Sequence, residues 1–450
     1  SEMCIRDRLI GLCAAMLALA GCGGDNRGAD KASDAAKTGS TVPSDFNPTI
    51  LRRGNGPEPD TLDPQFSHEG QWSISGGLDY EGLTRIDEEL QVAPGAAESW
   101  EFSADGKTLT FHLRDGLLYS DGAPVTAADF VYGAERLCSP ELASDSATLL
   151  FDVIGCEELF TSAGDTAAAN AARAMFGVRA LDDRTLEYRF GQPAPYFLMQ
   201  ASNWSAIPLR RDLVEAGGPR WWANPATRIG NGPYRLAEYT TDGPDRRLAF
   251  ARNEHYWRGP AKLDEIAFLF FDPGDAATAA YRRDEVDAIW MDSAIVPSLE
   301  ADPVLSRELV TIPDAGTSYF LFNVNKEPFT DKHVREAFAY AFDRQGYCRQ
   351  FEYSSCTTTQ SMIPPGLPGV IETNAYAVDP EKARQALAAS SYGGPENLPE
   401  VIWYGWKDSA GNDAQGQWLS AQFRQVLGIE LKLVYLPEEE HDALYDSPET

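Results

Sequence analysis

The most specific chemical signal in this chain of 450 residues is Leu19-Ala20-Gly21-Cys22, which closes an apolar run from Leu9 to Ala20. The tetrapeptide has the form of a bacterial lipobox, in which the leader is cut before the cysteine and the new terminal Cys22 carries lipid. The run is about 12 residues, too short to cross a bilayer core of roughly 30 Å as a helix and of the length of a signal-peptide apolar region. Residues 1–21 are therefore expected to be a removable signal peptide, although Glu2 and Asp7 stand beside Arg6 and Arg8 where a leader is normally basic. The expected location is the periplasm or the cell surface, with the membrane reached through the lipid alone.

Other residues that could do chemistry are sparse. Of seven cysteines, Cys4 and Cys13 fall in the leader and Cys22 at its end, leaving Cys138 with Cys156 and Cys348 with Cys356. Neither pair has Cys-x-x-Cys spacing, so two local disulfides suit an oxidising compartment better than a redox or zinc site, and free buried thiols are the alternative. The five histidines, His68, His112, His255, His333 and His441, are scattered. There is no Gly-x-Ser-x-Gly elbow, no His-Glu-x-x-His helix and no phosphate loop. Gly54-Asn-Gly56 and Gly230-Asn-Gly232 lack the third glycine of a dinucleotide site and read as turns. The expectation is a binding protein, not an enzyme, with no cofactor and no metal.

The elements that would position a binding site are legible in places. Residues 22–47 are Gly-, Ala-, Asp- and Ser-rich and read as a flexible tether behind the lipid. Leu109, Phe111 and Leu113 alternate with polar residues, as in a half-buried strand. Thr330 and Asp331 precede a helical face of Val334, Ala337, Phe338, Ala341 and Phe342, and Asp379-Pro380 starts another helix. Val401 to Trp406, Ala414 to Leu427 and Ile429 to Leu433 read as strand, helix and strand, which implies parallel pairing in a mixed α/β chain. A net charge of −30 spread along the sequence argues against nucleic acid as a partner. It reads as a solvated surface, with a preference for cationic ligands as the alternative.

The ordered blocks then resemble the oligopeptide-binding family of ABC transporter solute-binding lipoproteins (family 5 extracellular solute-binding proteins). Glu58-Pro59-Asp60-Thr61-Leu62-Asp63-Pro64, Tyr80-Glu81-Gly82-Leu83, Ala97-Glu98-Ser99-Trp100 and Ser120-Asp121-Gly122 stand in family order, as does Val125-Thr126-Ala127-Ala128-Asp129-Phe130-Val131-Tyr132. The likeness continues through Asn231-Gly232-Pro233-Tyr234, Asn253-Glu254-His255-Tyr256-Trp257, Glu285-Val286-Asp287 and Asn323 to Phe329. It covers nearly everything from about residue 48 onward. The resemblance implies a two-lobed clamp of the type II periplasmic binding protein kind with an additional lobe, its mixed sheets flanked by helices. Lobe I would comprise 48–80 and 206–315, the additional lobe II 81–205, and lobe III 316–450. It implies a monomer that captures peptides between two lobes and delivers them to the transmembrane permease subunits of an importer.

By position, Glu69-Gly70-Gln71, Trp290-Met291-Asp292 and Thr317-Ser318-Tyr319 resemble the family's ligand-flanking stretches. The family's amine-pairing aspartate in a Trp-x-x-Asp-like block has no match by spacing, since Glu438-Glu439-Glu440 and Asp446 come too early, so lobe III is expected to be incomplete. A fold alone does not fix the ligand, so a dipeptide, nickel chelate, haem or oligosaccharide stays open beside an oligopeptide. An exported hydrolase and a ligand-presenting sensor are the readings from other classes.

Overall fold

The structure is a computed structural model. It describes residues 2–5, 49–66, 77–88, 90–241, 243, 246–271, 276–291, 295–311, 316–352, 356–365, 367, 369–371, 373, 375–407, 410–437, 440–441 and 443–444. The chain forms two compact units, one of residues 8–289 and one of residues 290–450 together with 1–7. Among the described residues no helix is long and apolar enough to cross a membrane.

Among the described residues the first unit holds two larger sheets over two separate cores, and a two-stranded pair of Thr84–Ile86 with Val92–Pro94. In one sheet the strands lie in the order Ala288–Met291, Ile50–Asn55, Glu265–Phe270, Arg247–Arg252, Tyr234–Thr240. Ile50–Asn55 is parallel to both of its neighbours, whereas the last three strands run antiparallel to one another. Its core gathers Leu62, Tyr80, Trp221, Trp222, Phe250 and Phe268. The other sheet is antiparallel, in the order Ala97–Phe102, Thr108–Leu113, Thr185–Arg189, Val178–Ala180. There the period-two pattern does what it should: Leu109, Phe111 and Leu113 are buried and Phe111 meets Tyr188 edge-on at 5.9 Å. The helix Ala127–Leu137 covers that sheet, started by Thr126 and Asp129 in a reciprocal capping box.

The second unit is built around the parallel pair Val401–Trp406 and Leu431–Leu436, joined by the helix Ala410–Leu427, which begins four residues earlier than the sequence pattern suggests. Gly428, at φ 75°, ends that helix in the left-handed conformation. Asp331 accepts from the His333 amide at the start of Lys332–Ala341, and Asp379 accepts from two amides at the start of Pro380–Ala389. Val334, Ala337, Phe338, Leu387, Phe423 and Leu427 form the core. Glu2–Ile5 pairs antiparallel with Leu309–Thr311.

A buried ion pair ties together segments around the first unit's core of Leu62 and Tyr80. Arg228 and Asp79 are wholly buried, and the guanidinium donates through Nε and Nη2 to the two Asp79 oxygens. Its Nη1 also donates to the Leu62 carbonyl, so one side chain ties residue 62 to residue 79. Burial alone would lower the Arg228 pKa, but the Asp79 charge and hydrogen bonds overcome it and hold the guanidinium above its ordinary value. Asp63 makes a parallel tie, accepting from Arg136 on the capped helix and from the Trp221 indole.

A second joint lies at Glu81. Asn231 grips its main chain from both sides, accepting from the Glu81 amide and donating to its carbonyl, each at 3.0 Å. The carboxylate accepts from the Tyr256 hydroxyl at 2.7 Å and from the Trp257 indole, and the Arg114 guanidinium lies 3.6 Å over the Trp257 ring. Burial pushes the Glu81 carboxyl above the ordinary glutamate range, against the pull of those two donors and of Arg258 and Arg114.

Two outcomes follow from this architecture. Cys138 and Cys156 are bonded and fully buried, 18 positions apart in sequence; the double Ser variant is expected to lose about 3 kcal/mol of stability by denaturant titration. Because Glu81 has a raised folded pKa, its ionisation opposes folding: the stabilising protonated form is fully present below about pH 4.3 and lost as pH rises through the raised value. Glu81→Gln, whose amide can still meet the Tyr256 and Trp257 groups, is therefore expected to raise the melting temperature at pH 8 and to leave it unchanged near pH 4, measured by calorimetry across that range.

Candidate functional site

Two of the three ligand-flanking stretches are at least partly described. Glu69, Gly70, Gln71 and Asp292 lie outside the described residues, as does Cys22. The ends of the segment that carries 69–71 are firmly held. Before it, Gln65 is fully buried, its side chain donating to the Gly133 carbonyl and accepting from Arg136, while its own carbonyl accepts from Ser144. After it come Asp79 and Tyr80, against which the chain at 230–232 lies so closely that side chains are excluded. A Cβ at Gly230 would stand 1.8 Å from the Asp79 carbonyl oxygen, and one at Gly232 would stand 2.6 Å from the Asp79 carbonyl carbon. The Gly230-Asn-Gly232 turn is thus a packing device in which two glycines make room and Asn231 supplies the bonds.

Trp290 stands on the strand Ala288–Met291. Ala288 and Ile289 are buried and Trp290 is 43% exposed, a large apolar ring brought to the surface directly after two core residues. The start of that strand is set by Asp287, whose carboxylate accepts from the Arg52 amide, Nε and Nη2 at 2.8, 3.1 and 2.8 Å. Met291 closes the strand.

Residues 316–323 lie outside any helix or strand. Thr317 is half-buried, and its hydroxyl is shielded from solvent with no hydrogen-bond partner among the described residues. Ser318 and Tyr319 are exposed, Tyr319 by 55%, and Leu321 by 60%. Phe320 is anchored edge-on against Phe342 at 5.4 Å and Tyr347 at 5.6 Å, which fixes the run from beneath. This segment therefore offers aromatic and apolar surface, with an unsatisfied hydroxyl shielded beside it.

The remaining candidates take structural places. Cys348 is bonded to Cys356. His112 lies on the outer side of its strand, 3.8 Å from Glu101, and His333 bonds Glu336 one turn along its helix. Among the described residues there is no group of histidine, cysteine and carboxylate side chains able to hold a metal. A shallow depression of about 430 Å³ is lined by Ser120, Arg235, Arg252, Glu254, His255 and Asp264, but its Arg252 is already neutralised by Glu254 at 2.9 Å and Asp264 at 2.6 Å.

One expectation fails. Gly54 and Asn55 are the last residues of the strand Ile50–Asn55 and form no turn. The physical reason for Gly54 is its neighbour, since a Cβ there would come within 2.9 Å of Ile289. Sequence reasoning also assigned nothing to Arg228 and Asp79, and gave Asn231 only a place in a turn and a family block, although a lone arginine inside the aromatic and glycine-rich run from Trp221 to Tyr234 was a usable signal.

Comparison with known proteins places these features. Residues 91–449 match the family of bacterial extracellular solute-binding proteins, family 5 (middle). The dipeptide-binding protein DppE of Bacillus subtilis is 30% identical over 78% of this chain and 61% of its own length, so the chain spans less than two thirds of that relative. The periplasmic oligopeptide-binding protein OppA of Salmonella typhimurium is 32% identical over 83% of this chain and 69% of its own. Among solved structures, the murein tripeptide-binding protein MppA of Escherichia coli superposes with a TM-score of 0.70 at 25% identity, covering 89% of this chain and 77% of that one. The OppA of Haemophilus influenzae in complex with RPPGFSPFR gives 0.68 at 25% identity, over 88% and 77%. The fold is that of the periplasmic binding proteins, and this chain belongs to the family 5 bacterial extracellular solute-binding proteins.

Proposed function

We propose that the protein is the ligand-capturing lipoprotein of an ABC importer for peptides. Lipid at Cys22 and the tether to residue 47 would hold it outside the cytoplasm beside its permease, which raises local concentration without a new contact. Glu69-Gly70-Gln71, Trp290-Met291-Asp292 and Thr317-Ser318-Tyr319 would flank the ligand, with the protein working as a monomer and without chemical turnover. The observation that carries this reading is the family match over residues 91–449, together with relatives whose names record dipeptide and oligopeptide binding. It agrees with the physical character of the described stretches. Main-chain groups of an extended peptide need replacement partners when they leave water, and aromatic surface tolerates many side chains.

A second reading has one observation behind it. The probable deoxycholate-binding periplasmic protein YgiS of Escherichia coli is 31% identical over 85% of this chain and 70% of its own length. The exposed Tyr319 and Leu321 would equally suit an amphipathic steroid.

Mass spectrometry of what is released on denaturing the purified protein separates the two readings. Intact peptides are expected; a bile acid would select the second reading, and cleaved products accumulating with time would reject both. Trp290→Ala and Tyr319→Ala are each expected to weaken binding of the released peptides about tenfold in calorimetry, a loss of about 1.4 kcal/mol. Thr317→Val, which removes the unpartnered hydroxyl at nearly constant volume, is expected to weaken binding about threefold with no loss of melting temperature.

A further inference from the structure

We propose that Asp287 is a positioning residue for ligand capture: through Arg52 it fixes the register in which the strand Ala288–Met291 carries Trp290 to the surface. The inference rests on the reading of Trp290 as a ligand-flanking residue.

The grip is unusually complete for one carboxylate. Asp287 is 7% exposed, and its Oδ2 accepts from both the Arg52 main-chain amide and Arg52 Nε, while Oδ1 accepts from Arg52 Nη2. The Asp287 amide in turn donates to the Arg52 carbonyl at 2.7 Å. Four bonds thus join two residues that are 235 positions apart in sequence. The parallel ladder begins directly after them, with Ala288 opposite Arg53 and Ile289 opposite Gly54. Gly54 completes the lock, because the missing side chain is what admits Ile289, and Val286 lies 3.5 Å from the same point.

The consequence is geometric. Side chains alternate along a strand, so a slip of one residue exchanges faces. Here it would turn Ile289, which is 1% exposed, outward and Trp290 inward. Asp287 and Gly54 forbid that slip from two directions, one by polar bonds and one by shape. Asp287 itself need not touch the ligand; its effect reaches the ligand through the placement of Trp290.

Asp287→Asn keeps the size but turns one oxygen into a donor that faces the donors of Arg52, and Arg52→Lys keeps the main-chain bond while losing the fork. Trp290 is read separately from the other nine tryptophans by subtracting the emission of a Trp290→Phe partner of each variant. Binding is measured with the peptides released from the parental protein, or with a random tripeptide mixture. The Cys138/Cys156 double Ser variant serves as a destabilised control.

The proposal expects Asp287→Asn to shift the Trp290 emission and its quenching by acrylamide, and to weaken binding at least about fivefold, while the control keeps its affinity. Arg52→Lys should fall between the parent and Asp287→Asn. Loss of melting temperature in Asp287→Asn with unchanged Trp290 emission and affinity would overturn the proposal and leave Asp287 a stabilising residue. A shift of Trp290 emission in Asp287→Asn, combined with full affinity in Trp290→Ala, would overturn it through its premise and show that Trp290 does not meet ligand.

Discussion

The first unit depends on Arg228 being charged where no water reaches it. Its guanidinium is paid for by the Asp79 carboxylate and the Leu62 carbonyl, all three in the interior. A pair of apolar residues of similar volume would often match or exceed the stability of such a buried ion pair. What an apolar pair would not do is tie a main-chain carbonyl at residue 62 to a side chain at residue 79. Removing one partner alone strands a buried charge, which typically costs about 3–5 kcal/mol. The neighbouring glycines follow from the same constraint. For Arg228 to reach Asp79, the chain at 230–232 must pass close over residues 79 and 80, where no Cβ fits.

Polar ties of this kind recur wherever the unit's parts meet. Asp63 joins the opening block to the capped helix through Arg136, Asn231 and the Glu81 carboxylate join the start of the second core to the Tyr256-Trp257 loop, and Asp287 joins the strand Ala288–Met291 to Arg52. Each uses a charged or amide group to fix a geometry that packing alone leaves open, since apolar contact is nondirectional. The proposed role would benefit from that division: the cores supply stability, while short polar ties hold the candidate ligand-flanking segments at defined positions, which would lower the ordering cost of capture.

What could be read from the sequence, and what could not, follows the same line. Elements governed by local periodicity and caps were legible: the Thr108–Leu113 strand, the Asp331 and Asp379 helix starts, and the parallel Val401–Trp406 and Leu431–Leu436 pair. Family resemblance drew attention to Trp290 and Thr317-Ser318-Tyr319, whose exposure composition alone would not single out. The misread feature, Gly54, shows the limit. Its role is a contact with Ile289 on a strand more than 230 residues later, and no local rule separates a glycine needed for a turn from one needed for a neighbour. Arg228 escaped for the same reason, because a lone arginine is ordinarily on the surface and only its distant partners make it internal.

The exposed aromatics now take a different meaning from the rest of the surface. Scattered apolar exposure is normal and carries no function by itself. Trp290 and Tyr319 differ because each is held out from structure that is otherwise satisfied: Trp290 by a strand locked at Asp287 and Gly54, Tyr319 by a run pinned at Phe320. A ring presented by a rigid support gains more from contact than the same ring on a mobile chain, since little rotamer and backbone freedom remains to be lost. Affinity of that origin depends weakly on the ligand's side chains. If these rings meet ligand, as proposed, aromatics fixed from behind would bind a class of related solutes tightly while discriminating little among its members.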